Sequence, residues 1–266
     1  QRSNGDLRGR FAGGGADAGN MYDQGIATLA LCEAALMTGD GRVVDAATRG
    51  AEFIVKAQHR QTGGWRYVPG EHGDTSVFGW QVMALHSAKQ LGVEVPQRTS
   101  ELAARWVEIA SVGEHQTLAG YQPGHGPTPA MTAELLFARI LLGGELTPEG
   151  EQEACDFLAA HAPNPRQADF YGWYYASLSL HQLQNDAWKQ WNERTRDVLV
   201  AMQRRGGDDD GCWSGNIQWA DRGGRVYSTA LGCLTLEVYY RYLPLDARRS
   251  ATQPAPKLPN IGYLTR

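Results

Sequence analysis

"QHRQTGGWRY" at residues 58–67 places a glutamine, a short polar run and two glycines directly before a tryptophan. "QRRGGDDDGCW" (203–213) repeats the order Gln, spacer, Gly-x-Trp, and the first residues, "QRSNGDL", give Gln, spacer, Gly-x-Leu. Three such stretches in one chain point to a repeating architecture. The rest of the sequence supplies the repeated unit.

Helical periodicity recurs throughout, and nothing reads as a strand. One kind of helix carries a single apolar stripe, as in "VVDAATRGAEFIVKAQ" (43–58) and "DAWKQWNERTRDVLVAMQ" (186–203), with "SELAARWVEIA" and "EQEACDFLAAH" as shorter examples. The other kind is apolar nearly all round: "GIATLALCEAALM" (25–37), "SVFGWQVMALHSA" (76–88), "AMTAELLFARILL" (130–142), "FYGWYYASLSLHQL" (170–183) and "VYSTALGCLTLEVYY" (226–240). A one-stripe helix has a solvated back, whereas one apolar on all sides must be enclosed by other elements. The two kinds alternate along the chain, which predicts inner helices surrounded by outer ones. The inner helices begin near Asp23, Asp74, Thr128, Asp169 and Arg225, a repeat of about 40 to 55 residues that suits a helical hairpin. Asp23, Asp74, Thr128 and Asp169 are expected N-caps.

The opening stretch then reads as a clasp. Gln58 and Gln203 end outer helices, and their amides satisfy backbone groups and rest on an indole. Gly63 and Gly211 supply the tight return, and Trp65 and Trp213 lie beside the next inner helix. Bulk properties exclude several classes. The 266 residues are 42% hydrophobic with a formal net charge of -4, enough for one sizeable core and without a basic footprint for nucleic acid. No apolar run approaches a membrane span, and no secretory signal is present. The four cysteines have no metal-type spacing, and Cys32, Cys155 and Cys233 lie in apolar helical patterns as ordinary buried thiols.

On these residues the sequence resembles the terpenoid cyclase and protein prenyltransferase superfamily over about residues 20–245. The clasp is similar to the repeat of squalene–hopene cyclases. "MYDQGIATLALCEA", "GGWRYVPGEHGDTSVFGWQVMAL", "TPAMTAELLFARILLG", "GWYYASLSLHQL" and "GGRVYSTALGCLTLEVYYRYLPL" resemble bacterial prenyltransferase/squalene-oxidase repeat proteins. The resemblance implies an all-α, double-layered α/α toroid over 21–245, incomplete on its N-terminal side. Residues 1–20 form a partial clasp and lead-in, with "RGRFAGGGADAG" (8–19) as a flexible connection, and 246–266 form a proline-containing tail. An outer helix expected before Gln1 marks the chain as part of a longer protein, the ring being completed by upstream repeats or another chain.

The superfamily's chemistries carry over unevenly. The proton-donating Asp-x-Asp-Asp-Thr of cyclases matches "EHGDTS" (71–76) with Gly73 in place of the central acid, leaving Glu71 and Asp74 as catalytic candidates. A zinc prenyltransferase would need a cysteine at the start of the last inner helix, which reads "GGRVYSTAL". "DGCWSG" lacks the Glu-Gln of thioester domains. No cofactor or metal is expected, "GGDDDG" (206–211) being a solvated acidic turn. The leading expectation is a non-catalytic binding or scaffold module. It takes an apolar or isoprenoid-like molecule or a protein segment at the toroid mouth, through His72, Tyr121, His125, Asp169, Tyr171, Trp173, Trp219, Arg225 and Tyr227. The alternative is a squalene-type cyclase using Glu71 or Asp74. "EVYYRYLPL" (237–245) is expected to close the last inner helix.

Overall fold

The computed structural model describes residues 1–7 and 20–241, and the chain over them is predominantly helical. The glycine-rich connection at 8–19 and the tail at 246–266 lie outside the described residues. In chain order the helices are α1 (Met21–Thr38), α2 (Gly41–Ala57), α3 (Thr75–Gln90), α4 (Gln97–Ala110), α5 (Pro129–Leu141), α6 (Pro148–Ala160), α7 (Phe170–Leu183), α8 (Asp186–Met202) and α9 (Ala220–Arg241). Gly224 interrupts α9 with φ +64°, so its regular part begins near Arg225.

Packing follows the polarity pattern for α3, α5 and α7, whereas α1, expected to be enclosed, exposes Ile26, Leu36 and Met37, and α9 exposes Val226 and Tyr240. α1 packs on α3, α3 on α5, α5 on α7 and α7 on α9, while α2, α4, α6 and α8 flank this row. Residues 75–85 of α3 and 172–181 of α7 are buried without a break, as enclosed helices must be. α2 instead buries one stripe of Ala47, Gly50, Ala51, Ile54 and Ala57. No helix among the described residues is long and apolar enough to cross a membrane.

The clasps are visible atom by atom. The Trp65 indole N–H donates to Ile54 O of α2 at 2.8 Å, and that of Trp213 to Leu199 O of α8 at 2.8 Å. The Trp65 ring thereby satisfies a carbonyl in the last turn of α2, where the helix itself leaves acceptors free, whereas Leu199 O also accepts from the Gln203 N–H at 3.1 Å. The Gln58 and Gln203 amides donate to Gly63 O and Gly211 O, both at 2.9 Å. The partners of the glutamine are thus backbone carbonyls. Gln58 also reaches forward, donating to Thr99 O of α4 at 3.1 Å, and Gln1 does the same to Ala46 O of α2 at 2.7 Å. The first two clasps therefore reach forward to α2 and α4 as well as closing on themselves.

Several expectations need correction. Thr128, Asp74 and Asp169 cap α5, α3 and α7 through their side chains. Asp23 is not a cap: Asn20 caps α1, and Asp23 returns a bond to the Asn20 N–H at 3.0 Å, a reciprocal capping box. A two-stranded antiparallel ribbon pairs β1 (Ser111–Val112) with β2 (Leu118–Ala119), too short to leave an alternating pattern. Cys32 and Cys155 are buried, but Cys233 is exposed. Tyr239 and Tyr240 of "EVYYRYLPL" are also exposed, so this stretch does not close its helix over the described residues.

Gly63 and Gly211 offer a controlled comparison. Their φ angles are +81° and +80°, but a Cβ on Gly63 would lie 1.7 Å from Leu102 O whereas one on Gly211 meets nothing within 4 Å. Both Ala variants bear the left-handed strain of about 1–2 kcal/mol. Gly63→Ala adds a backbone clash and is expected to lose clearly more stability than Gly211→Ala in urea unfolding. Equal losses would refute the close approach.

Candidate functional site

The starts of the inner helices are drawn to one end by backbone bonds. Met21 N–H donates to Tyr67 O, Asp74 N–H to Trp65 O, Thr75 N–H to Tyr121 O and Thr128 N–H to Ala119 O, at 2.9–3.0 Å. Four inner helices each contribute one polar side chain just inside that end. Tyr22 Oη of α1 donates to Ser76 Oγ of α3 at 2.6 Å. Ser76 Oγ lies 2.9 Å from Tyr171 Oη of α7, which donates to both Glu134 oxygens of α5 at 3.0 and 2.9 Å. With Ser76 as donor to Tyr171, the hydroxyls run in one direction toward the carboxyl. Gly79 makes the room, since a Cβ there would stand 2.1 Å from Glu134 Oε1.

Burial holds the Glu134 carboxyl well above the ordinary carboxylate range, against the pull of its tyrosine hydrogen bonds. Tyr171 and Tyr175 are likewise pushed up, first by burial and then by the neighbouring carboxyl. Around this point Trp80, Tyr171, Tyr174 and Tyr175 pack with ring centroids 5.1–6.4 Å apart. The space between α3 and α7 is filled by rings. Chemically the arrangement favours the protonated form of the buried carboxyl.

Outside this core lies the expected rim. Tyr67 Oη and Tyr121 Oη are 2.6 Å apart, and Arg66 Nε stands 3.5 Å from the fully buried Asp74 Oδ2. Asp74 Oδ1 accepts from Val77 N–H at 2.8 Å as the α3 cap, and burial raises its pKa. Glu71 has a local role, Oε2 accepting from Val68 N–H at 3.0 Å within its turn. His72 stacks edge-on against His59 at 4.6 Å, and His125 lies 6.5 Å from Tyr121. Tyr121 thus links the His125 ring to the Tyr67 hydroxyl.

A second group gathers before α9. Gln218 N–H donates to Ala168 O at 2.8 Å, tying the 214–220 loop to the start of α7. An open pocket of about 540 Å³ is lined there by residues including Asn216, Ile217, Trp219, Asp221, Arg225 and Ser228. Trp219 is half exposed, with φ +67°. Arg225 is ion-paired with Asp209 of the acidic turn, which also approaches Arg204 at 3.8 Å. Asp169, the α7 cap, is half-buried, and its desolvation pushes its pKa up. Tyr227 has a buried hydroxyl without a hydrogen bond, raised by burial and by Asp169.

Two expected ligand residues belong elsewhere. Trp173 is a core residue against Phe170 at 5.2 Å, and Tyr171 is committed to Ser76 and Glu134. Three residues of the central chain were not anticipated, namely Tyr22, Ser76 and Glu134. The available signal was that Glu134 is the one carboxylate in α3, α5 and α7.

Glu134 yields a pH prediction with a definite sign. Its folded pKa exceeds its unfolded one, so above about pH 4.3 the unfolded chain sheds the proton first. Stability is fully present below the unfolded pKa and falls as pH rises toward the folded pKa, by up to about 1.4 kcal/mol per pH unit. Glu134→Gln keeps a hydrogen-bonding group and abolishes that titration. The stability of wild type relative to Glu134→Gln, from urea unfolding at pH 4 to 8, is expected to decline with pH; a flat difference would contradict a neutral buried carboxyl. Compared with models of known protein families, with curated proteins and with solved structures, the chain matches none.

Proposed function

We propose that the row of inner helices is an arc of a double-layered α/α toroid of the terpenoid cyclase and prenyltransferase type. In this reading the chain is a binding module rather than a catalyst. It holds an apolar small molecule or a protein segment at the mouth formed by the inner-helix starts. The observation that carries this is the open pocket beside Trp219 and Arg225, with an exposed indole and an ion-paired guanidinium around it. Mixed aromatic and polar linings of this kind fix orientation while apolar contact provides affinity. The ring-filled space around Trp80 and Tyr175 supports the same reading, because it gives a polyene no enclosed bed beside Glu134.

One observation favours the alternative of a squalene-type cyclase. Asp74 is a buried acid with a raised pKa, in the stretch that matches the cyclase motif. Against it, Asp74 already caps α3 and faces Arg66. No cyclised product is expected when the protein is incubated with squalene and extracted for mass spectrometry. A product that disappears in Asp74→Asn would replace the binding reading.

Direct binding is tested by titrating farnesol and a panel of aromatic-bearing peptides while following tryptophan fluorescence. Saturable binding to one class is expected. Trp219→Ala, at a half-exposed position, should weaken it by about tenfold or more, as for an aromatic anchor. Absence of saturable binding to both classes, or binding indifferent to Trp219→Ala, would remove the pocket from the proposal.

A further inference from the structure

The pocket before α9 holds hydrogen-bonding groups that its own surroundings leave unused. Among the described residues, no side-chain hydrogen bond or ion pair engages Asn216, Gln218 or Asp221. Asn216 and Gln218 flank Ile217, which is buried and bridged to Ala168, so both exposed carboxamides stand on the outer side of the loop. Trp219 lines the same pocket with its indole half exposed, and the Arg222 guanidinium braces the ring from 5.9 Å. Other apolar surface is scarce there, since Ile217 is buried and Ala220 is small.

This lining selects the occupant's chemistry. A purely apolar molecule would cover the carboxamides and the Asp221 carboxylate without pairing them, at a cost in free energy. The fitting ligand offers one compact ring to the indole and a polar backbone to the rest. Proline in an extended segment does both. Its ring is small and rigid, its carbonyls accept from carboxamide and indole N–H groups, and its fixed φ lowers the ordering cost on an open surface.

The sequence itself contains such a segment. In "ATQPAPKLPN" (251–260), three of the chain's 12 prolines fall within six residues, around Lys257, whose charge is opposite to that of Asp221. Chain length permits the encounter. The regular part of α9, Arg225 to Arg241, is about 24 Å long, whereas the chain from Arg241 to Gln253 can extend to about 40 Å.

We propose that residues 251–260 of this chain are a ligand of the Trp219 pocket, with proline against the indole and backbone carbonyls on the Asn216 and Gln218 carboxamides. The inference rests on the reading of this pocket as a binding site, and it adds a regulation. An external segment gains the site only by displacing the chain's own.

A fluorescein-labelled peptide of residues 251–260 is titrated by anisotropy with two full-length chains, wild type and Pro254→Ala/Pro256→Ala/Pro259→Ala. Tethering gives the native segment an effective concentration on the order of 1 mM, so the wild-type chain competes with the peptide. A Kd of about 10–100 μM is expected for the triple variant, and binding about tenfold weaker or more for wild type. Adding Trp219→Ala to the triple variant should weaken binding by about tenfold or more, with helix content unchanged by circular dichroism. Lys257→Ala in the peptide should weaken it by about two- to fivefold, as for an exposed ion pair. A peptide that does not bind the triple variant, or that binds it and wild type equally, overturns the proposal. If an aromatic-bearing peptide still saturates the pocket in a Trp219-dependent manner, that failure is the segment's alone and the pocket stands as a binding site.

Discussion

The structure depends on one constraint, the approach of a clasp glycine to the backbone of the neighbouring outer helix. At Gly63 the distance leaves no room for a Cβ, and the positive φ independently disfavours one. The residue on either side then falls into place. Gln58 reaches the same helix with its amide, and Trp65 reaches back to Ile54 O with its indole. A buried indole N–H and a buried carboxamide each cost free energy unless bonded, so satisfying both against fixed backbone carbonyls specifies one register between helices. Apolar packing alone would allow the helices to slide.

With the register fixed, the inner helices can bring single polar side chains to a common point. Tyr22, Ser76, Glu134 and Tyr171 come from four helices yet form one hydrogen-bonded chain. Such a chain tolerates little displacement, because each hydroxyl bond weakens steeply beyond its normal length. Its end is a carboxyl whose pKa burial raises, with Gly79 giving up its side chain to admit it. The core therefore gives up some stability at neutral pH in exchange for a unique arrangement. A Leu at position 134 would leave the Tyr171 hydroxyl without its acceptor, which is a cost of its own.

How much of this was legible follows from the range of each interaction. The enclosed course of α3 and the one-sided burial of α2 were readable because polarity around a helix is a local pattern, as the contrast between 43–58 and 76–88 illustrates. Asp74, Thr128 and Asp169 were readable as caps because a cap acts within three residues. Asp23 misled by one turn, since Asn20 and Asp23 divide the capping box between them. The Tyr22–Ser76–Tyr171–Glu134 chain was not readable, its bonded pairs being as much as 95 residues apart and ordinary in their own helices. Glu134 alone stood out, as a carboxylate inside an apolar helix. Cys233 and Tyr240 misled for the opposite reason. Their helix has the composition of an enclosed one, but composition cannot report which neighbour is present.

That last mismatch bears on function. Exposed apolar side chains scattered singly are normal on a protein surface, but a row along one helix face is a different matter. α9 carries such a row beside a clasp whose two counterparts are both filled. The polar pocket around Trp219 and the apolar face around Val226 flank the same helix start, one facing the loops and the other facing outward. Gly224 separates them by breaking the helix at that point, so the turn carrying Asp221 and the regular helix from Arg225 onward are joined through a single permissive residue.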